Sequence, residues 1–302
     1  MTAAQLINVL YSIVDRIYIG RLPHTSAEAL TGIGLTLPVI TIITAFANLF
    51  GMGGAPLCSI ARGEHNEEKA EKVMGNSFVL LLISGGVLMI LCLIFKRPLL
   101  YLFGASDVSW PYADQYITIY LLGTLFVMIS LGMNNFINAQ GFGKTGMLTV
   151  LLGAVLNIVL DPVLIFGFDM GVRGAAIATI ISQGASAFWV LKFLTGKKAL
   201  LHLNLKGMCL EWKRVKEIVL LGTSGFVMSV TNGLVQIASN AMLSRYGGDL
   251  YVGIMTVINS VREIITMPVT GLTSGAQPVI SYNYGAGCFQ RVKASIRFMT
   301  AG

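Results

Sequence analysis

Charge is scarce in this 302-residue sequence: 12% of residues are Asp, Glu, Lys or Arg, 55% are hydrophobic, and the mean hydropathy is +0.74. A soluble domain carries about 25% charged residues, and half that number cannot cover a water-facing surface. Disorder is excluded by the same figures, because so apolar a chain collapses. Cysteine is sparse too. Cys58, Cys92, Cys209 and Cys288 lie far apart with no C-x-x-C pair, which excludes a disulfide scaffold. His24, His65 and His202 fall in polar stretches without the ligand spacing of a zinc site. The net charge of +7 raises the question of nucleic acid, but the positive residues gather in loops between apolar runs, the pattern of a membrane protein.

Those runs are what the sequence has in abundance. A membrane-crossing helix needs about 20 mostly apolar residues, and eight segments qualify: 2–20, 30–61, 74–95, 116–139, 146–168, 172–194, 218–244 and 252–282. Runs of this length without period-two alternation exclude a barrel. The expectation is an all-α fold, a polytopic transmembrane helix bundle in the lipid bilayer. Loops after the even-numbered spans hold fourteen Lys and Arg, those after the odd-numbered spans five, which places the even loops in the cytoplasm of a plasma-membrane protein. The longest and most basic connection, Lys197 to Lys216, reads as a solvated cytoplasmic linker.

The linker separates two halves that resemble each other. Asn8 to Leu22 lines up with Asn232 to Tyr246, Gly54-Ala55-Pro56 with Gly275-Ala276-Gln277-Pro278, and Gly63 with Gly285. Six spans separate the copies, an even number, so the halves share one orientation, and parallel repeats of this kind are a transporter signature. The expected organisation is a complete six-helix N-lobe over 1–196, the basic linker over 197–216, and a partial C-lobe over 217–302 holding two helices and the start of a third. A period of about 222 carries a full second half well past Gly302, so the chain reads as an N-terminal fragment.

Ionised side chains in hydrocarbon cost about 2.5–3.5 kcal/mol each on insertion scales, which singles out Asp15, Arg16, Asp161, Arg262 and Glu263. Counted at 1.5 Å per residue, Asp15 on the first span, Asp161 on the fifth and Thr179 on the sixth lie roughly 8–10 Å from the same membrane face. Asn8, Tyr11, Ser12 and Asp15 form one polar stripe, Asn157 and Asp161 are four apart, and Thr179 and Gln183 likewise. Pro162 removes an amide hydrogen and frees the carbonyl of Ile158. Two carboxylates, an amide, a hydroxyl and a carbonyl suit a hard monovalent cation or a shared proton. Arg16 reaches toward the interface. Arg262 and Glu263 face a water-filled cavity or pair with another helix. Asn134 and Asn138 fit a cavity wall or interhelical hydrogen bonding. Pro38, Pro56, Pro268 and Pro278 bend the second and eighth spans, the repeat-related pair.

Four motifs carry a family resemblance: Tyr11 to Gly20 (YSIVDRIYIG), Asn157 to Gly167 (NIVLDPVLIFG), Gly171 to Thr179 (GVRGAAIAT) and Gly275 to Gly287 (GAQPVISYNYGAG). Together they resemble the multidrug and toxic compound extrusion (MATE) family along the whole chain. The resemblance implies two six-helix lobes in a V and efflux of lipophilic, mostly cationic compounds against Na⁺ or H⁺. It implies a coupling site at Asp15, Asn157, Asp161 and Thr179, no other cofactor, and a monomer when full length. Tyr11, Asn134, Asn138, Gln183, Arg262 and Glu263 are the candidate cavity residues. The seventh span lacks the acidic residue that some members carry in a second-lobe cation site. The rivals are a lipid-linked precursor flippase, which wants several cavity cations for a pyrophosphate, a non-transporting membrane fragment, and a membrane enzyme, for which no catalytic constellation is present.

Overall fold

The computed structural model describes Tyr18, residues 26–105 and residues 107–301; Tyr11, Asp15 and the rest of the first expected span lie outside them. Every regular element among the described residues is helical. The second expected span forms α1 (Ser26–Gly63), which continues unbroken through Pro38 and Pro56. A tight turn with His65 in the left-handed region leads into α2 (Glu67–Leu102). The Asn66 side chain accepts from the Lys69 amide at 2.9 Å, and Glu67 and Glu68 occupy the first turn, so side chain and dipole both favour a helix start there. Lys72 pairs with Glu68 across one turn at 2.6 Å, as the four-residue spacing of charges in this stretch predicts.

The fourth expected span is not one helix. It is α3 (Trp110–Leu122) and α4 (Thr124–Ala139), bent by 57° at Gly123. Ile180, further along the chain, packs into the space at the bend: a Cβ on Gly123 would lie 2.5 Å from its Cγ1. Next come α5 (Gly143–Pro162), a π-helical turn (Val163–Gly167) directly after Pro162, and α6 (Gly171–Leu194). Proline cannot continue the ordinary hydrogen-bond ladder, and a widened turn is one way the chain accommodates it. Five described helices are long and apolar enough to span a membrane, six if α3 and α4 count as one. Ile83, Val87, Ile90, Ile94 and Phe95 of α2 are exposed along one face, which is the arrangement lipid rather than water favours.

The linker keeps Lys197, Lys198, Lys213 and Lys216 exposed while its backbone is fastened to the bundle. Gln140, at the end of α4, accepts from the amides of Leu200 and Leu201 at 2.9 and 3.0 Å, and Leu201 is buried. Glu71 accepts from the His202 amide and from Asn204 Nδ2 at 2.8 and 2.7 Å. Fully buried Asn76 donates to the carbonyls of Gly207 and Cys209 and accepts from the Glu211 amide.

Beyond it, the chain is helical from Trp212 to Gly285 (α7), followed by α8 (Phe289–Ala301). A straight helix from 218 to 282 would extend about 96 Å. Yet Ile218 and Gly222 pack on Leu49 and Gly53 of α1, while Tyr282 and Gly285 pack on Ile60 and Gly63. Those two stations on α1 are only about 15–20 Å apart, so α7 doubles back on itself, as two expected spans in this region require. At the second station the approach is reciprocal: Gly63 meets the carbonyl of Tyr282, and Gly285 meets the carbonyl of Ile60. Tyr282 and Gly285 stand 222 residues after Ile60 and Gly63, so the helices cross with local two-fold symmetry.

Candidate functional site

The site forms where α4, α5 and α6 meet. Four residues at successive turns of α5 face inward: Thr149, Gly153, Asn157 and Asp161. Asn157 and Asp161 are 3% and 0% exposed, and Asn157 Nδ2 donates to Asp161 Oδ1 at 3.2 Å. A carboxylate shielded this thoroughly is costly unless hydrogen bonds or a positive charge compensate it. The amide of Asn157 supplies one such bond, and its own Oδ1 is buried without a partner.

Below this pair is a cavity of about 90 Å³ lined by Ser130 and Asn134 of α4, Thr149, Gly153 and Asn157 of α5, and Thr179, Ser182, Gln183 and Ser186 of α6. Thr179 donates to the Ala175 carbonyl at 3.0 Å, which leaves the oxygen's lone pairs available. Ser130 donates to Gln183 Oε1 at 2.5 Å, and Ser186 donates to the Thr149 carbonyl at 3.2 Å. Among the described residues, no Lys, Arg or His lines this chamber. Its polar groups are oxygens and amides, the ligand type of hard monovalent cations and water, and they are set among the apolar Leu131, Val150 and Ala154.

The sequence-predicted residues therefore divide. Asn157, Asp161, Thr179, Gln183 and Asn134 come together. Asn138 belongs to a second, smaller cavity between α1, α4 and α7, beside Ser59, Asn135, Ser274 and Gln277. Pro56 and Pro278, also 222 residues apart, both line that cavity. A third, wider cavity of about 330 Å³ adjoins it at Met52, Ser274 and Gln277. Arg262 is exposed and lines none of these three cavities. The side chain of Glu263, like Tyr11 and Asp15, lies outside what the structure describes. Ser130, Thr149, Ser182, Ser186 and Gln277 went unpredicted, although Thr149 extends the four-residue spacing of Asn157 and Asp161 downward. Tyr18 places its ring edge-on to Phe166, with centroids 6.3 Å apart, five residues beyond Asp161.

A bundle of membrane-length helices around a buried carboxylate and a partly polar chamber defines a polytopic membrane protein with an ionisable site inside its helix cluster. A model of the MatE family matches residues 1–163 and 226–301, and the chain belongs to that family. It is 30% identical over 286 residues to the multidrug export protein MepA of Staphylococcus haemolyticus, covering 94% of this chain and 62% of that protein. The MepA of Staphylococcus aureus (strain NCTC 8325) is 30% identical over 288 residues, covering 95% of this chain and 63% of the relative. The chain thus spans under two thirds of these relatives' length. Among solved structures, the MATE multidrug transporter DinF-BH superposes with a TM-score of 0.91 at 33% identity, over 99% of this chain and 66% of that one. An outward-facing MATE family transporter of the MOP superfamily shares the fold, with a TM-score of 0.92 at 24% identity, over 99% of this chain and 66% of that one.

Proposed function

We propose that the chain supplies the first lobe, and part of the second, of a secondary exporter that drives lipophilic, mostly cationic compounds outward against Na⁺ or H⁺. The reading rests on one observation: a fully buried Asp161, hydrogen-bonded to Asn157, which itself lines a chamber of mixed polar and apolar side chains that includes Thr179. Binding Na⁺ or a proton there neutralises the carboxylate, and any conformational consequence follows from the ion's differential affinity for two arrangements. Asp15 is the proposed fourth member. Tyr18, three residues later, packs on the segment that follows Asp161, which supports their proximity. The reciprocal contact of α1 and α7 and the paired prolines at the second cavity support two repeat-related lobes. The basic loops support a cytoplasmic face at the Gly63, Gln140 and Thr195 ends of the helices.

The MepA and DinF-BH names support multidrug compounds as cargo. Among the described residues, no Lys or Arg lines any of the three cavities, which speaks against a flippase that must hold a pyrophosphate. In a full-length context, cells expressing the exporter should accumulate less of a lipophilic cationic dye than cells expressing its Asp161→Asn variant, with the difference set by the Na⁺ or pH gradient. Equal accumulation at equal membrane expression would overturn the coupling role of Asp161.

A further inference from the structure

The chamber under Asp161 and the second cavity between α1, α4 and α7 are separated by a single turn of α4. Asn134 lines the first and Asn138 the second, four residues apart on one helix face. Between them stands Gly146 of α5. Its carbonyl accepts from Asn134 Nδ2 at 3.3 Å, and its missing side chain is what leaves room for the Asn138 amide, because a Cβ there would collide with Asn138 Oδ1.

Several polar atoms along this line have no protein partner. Asn134 Oδ1 and Asn138 Oδ1 are buried and unpartnered, as are Ser182 Oγ and Asn157 Oδ1 inside the chamber, whose residues are each 3% exposed. Orphaned buried oxygens are normally met by water or an ion. A cavity of about 90 Å³ has space for several waters, since each needs roughly 10–15 Å³ of this kind of volume.

We propose that Asn134 and Asn138, packed on either side of Gly146, form a polar step through which water and a monovalent cation pass between the chamber beside Asp161 and the cavity beside α7. The identity of the traveller as the coupling ion rests on the function proposed above; the passage itself does not. In this arrangement the ion's route runs within the helix cluster and opens beside Gln277, so the carboxylate communicates with the neighbouring cavity without a gap opening along α5 and α6. Asn134 and Asn138 are positioning residues, offering oxygens in turn to a cation that sheds part of its hydration.

The test is thiol accessibility in the whole chain, with the four native cysteines replaced by alanine and a single cysteine introduced as Ser182→Cys. Silver ion, a thiol-reactive monovalent cation, is added to purified protein in lipid nanodiscs, and its uptake is read by intact mass. Ser182→Cys should react, and adding Gly146→Ala should slow it on the order of tenfold, the scale expected of a methyl group forced into a close-packed point. Asn138→Leu, a second way of blocking the step, should act in the same direction. Gln277→Cys, on the far side of the step, should react at an unchanged rate in both blocked proteins, which verifies their fold. An unreactive Ser182→Cys, or one whose rate ignores both blocks while Gln277→Cys stays reactive, overturns the passage. Slowing by Na⁺ or by acid identifies the ion that competes for the route. If blocking works but neither Na⁺ nor protons compete, the passage stands and the coupling-ion reading falls.

Discussion

Asn76 shows how much a single side chain can organise. Its Nδ2 lies 2.9, 3.1 and 2.9 Å from the carbonyls of Lys72, Gly207 and Cys209, and its Oδ1 receives the Glu211 amide at 2.9 Å. One amide group thereby stops the linker and begins α7. Asn76→Ala should destabilise the protein by about 2 kcal/mol, because several buried bonds of about 1 kcal/mol each are lost and carbonyls are stranded. A thermal-unfolding scan in detergent checks this, and protease cleavage within 199–211 should quicken in the same variant. Residues of this kind were hidden in the sequence. An asparagine amid apolar neighbours signals only that it needs partners, and three of its four partners lie more than 130 residues away. Asp161 and Asn157 were legible because charge in lipid is costly and a four-residue spacing names the shared face. Ser182, Thr149 and Ser186 were not, since a helical hydroxyl can always satisfy itself on its own backbone and so leaves no mark of function.

Among the elements, long apolar runs announced α1, α2, α5 and α6; α1 and α2 run past the expected ends, because polar first and last turns extend beyond the apolar core of a span, whereas α5 stops at Pro162, short of the expected 168. The break at Gly123 was not legible. A glycine inside an apolar run reads as a tolerated interior residue, and only the presence of Ile180 shows why it is there. Gly123→Val should therefore destabilise by roughly 1–3 kcal/mol, the usual cost of overpacking. Truncating the obstruction should recover part of that loss. A double-mutant cycle of Gly123→Val with Ile180→Ala, followed by thermal unfolding, should show clear non-additivity; additive effects would mean that Ile180 is not what excludes a side chain at position 123. The docking of the linker was not legible for a related reason. Lys197, Lys198 and Lys213 advertise solvent, whereas the contacts that hold the segment are made chiefly by its backbone amides and carbonyls, which carry no sequence signature.

At the scale of the molecule, the internal repeat was visible as three short matches, and its spacing of 222 reappears in the meeting of Ile60 and Gly63 with Tyr282 and Gly285. Backbones that touch this closely tolerate no side chain between them. Gly63→Val and Gly285→Val should each lower thermal stability. Because each strikes the same junction, the pair together should cost less than the sum of the two singles.

A self-matching junction of this sort is indifferent to whether its two sides belong to one polypeptide, since it is the kind of surface by which identical subunits find each other. Severing the chain between the exposed Lys197 and Lys198 should consequently yield two pieces that recombine when made in the same cell. An affinity tag on one piece should retrieve the other through detergent extraction, and Gly285→Val should weaken the retrieval. Two pieces that never copurify would mean that covalent continuity, rather than mutual fit, keeps the parts of this protein together.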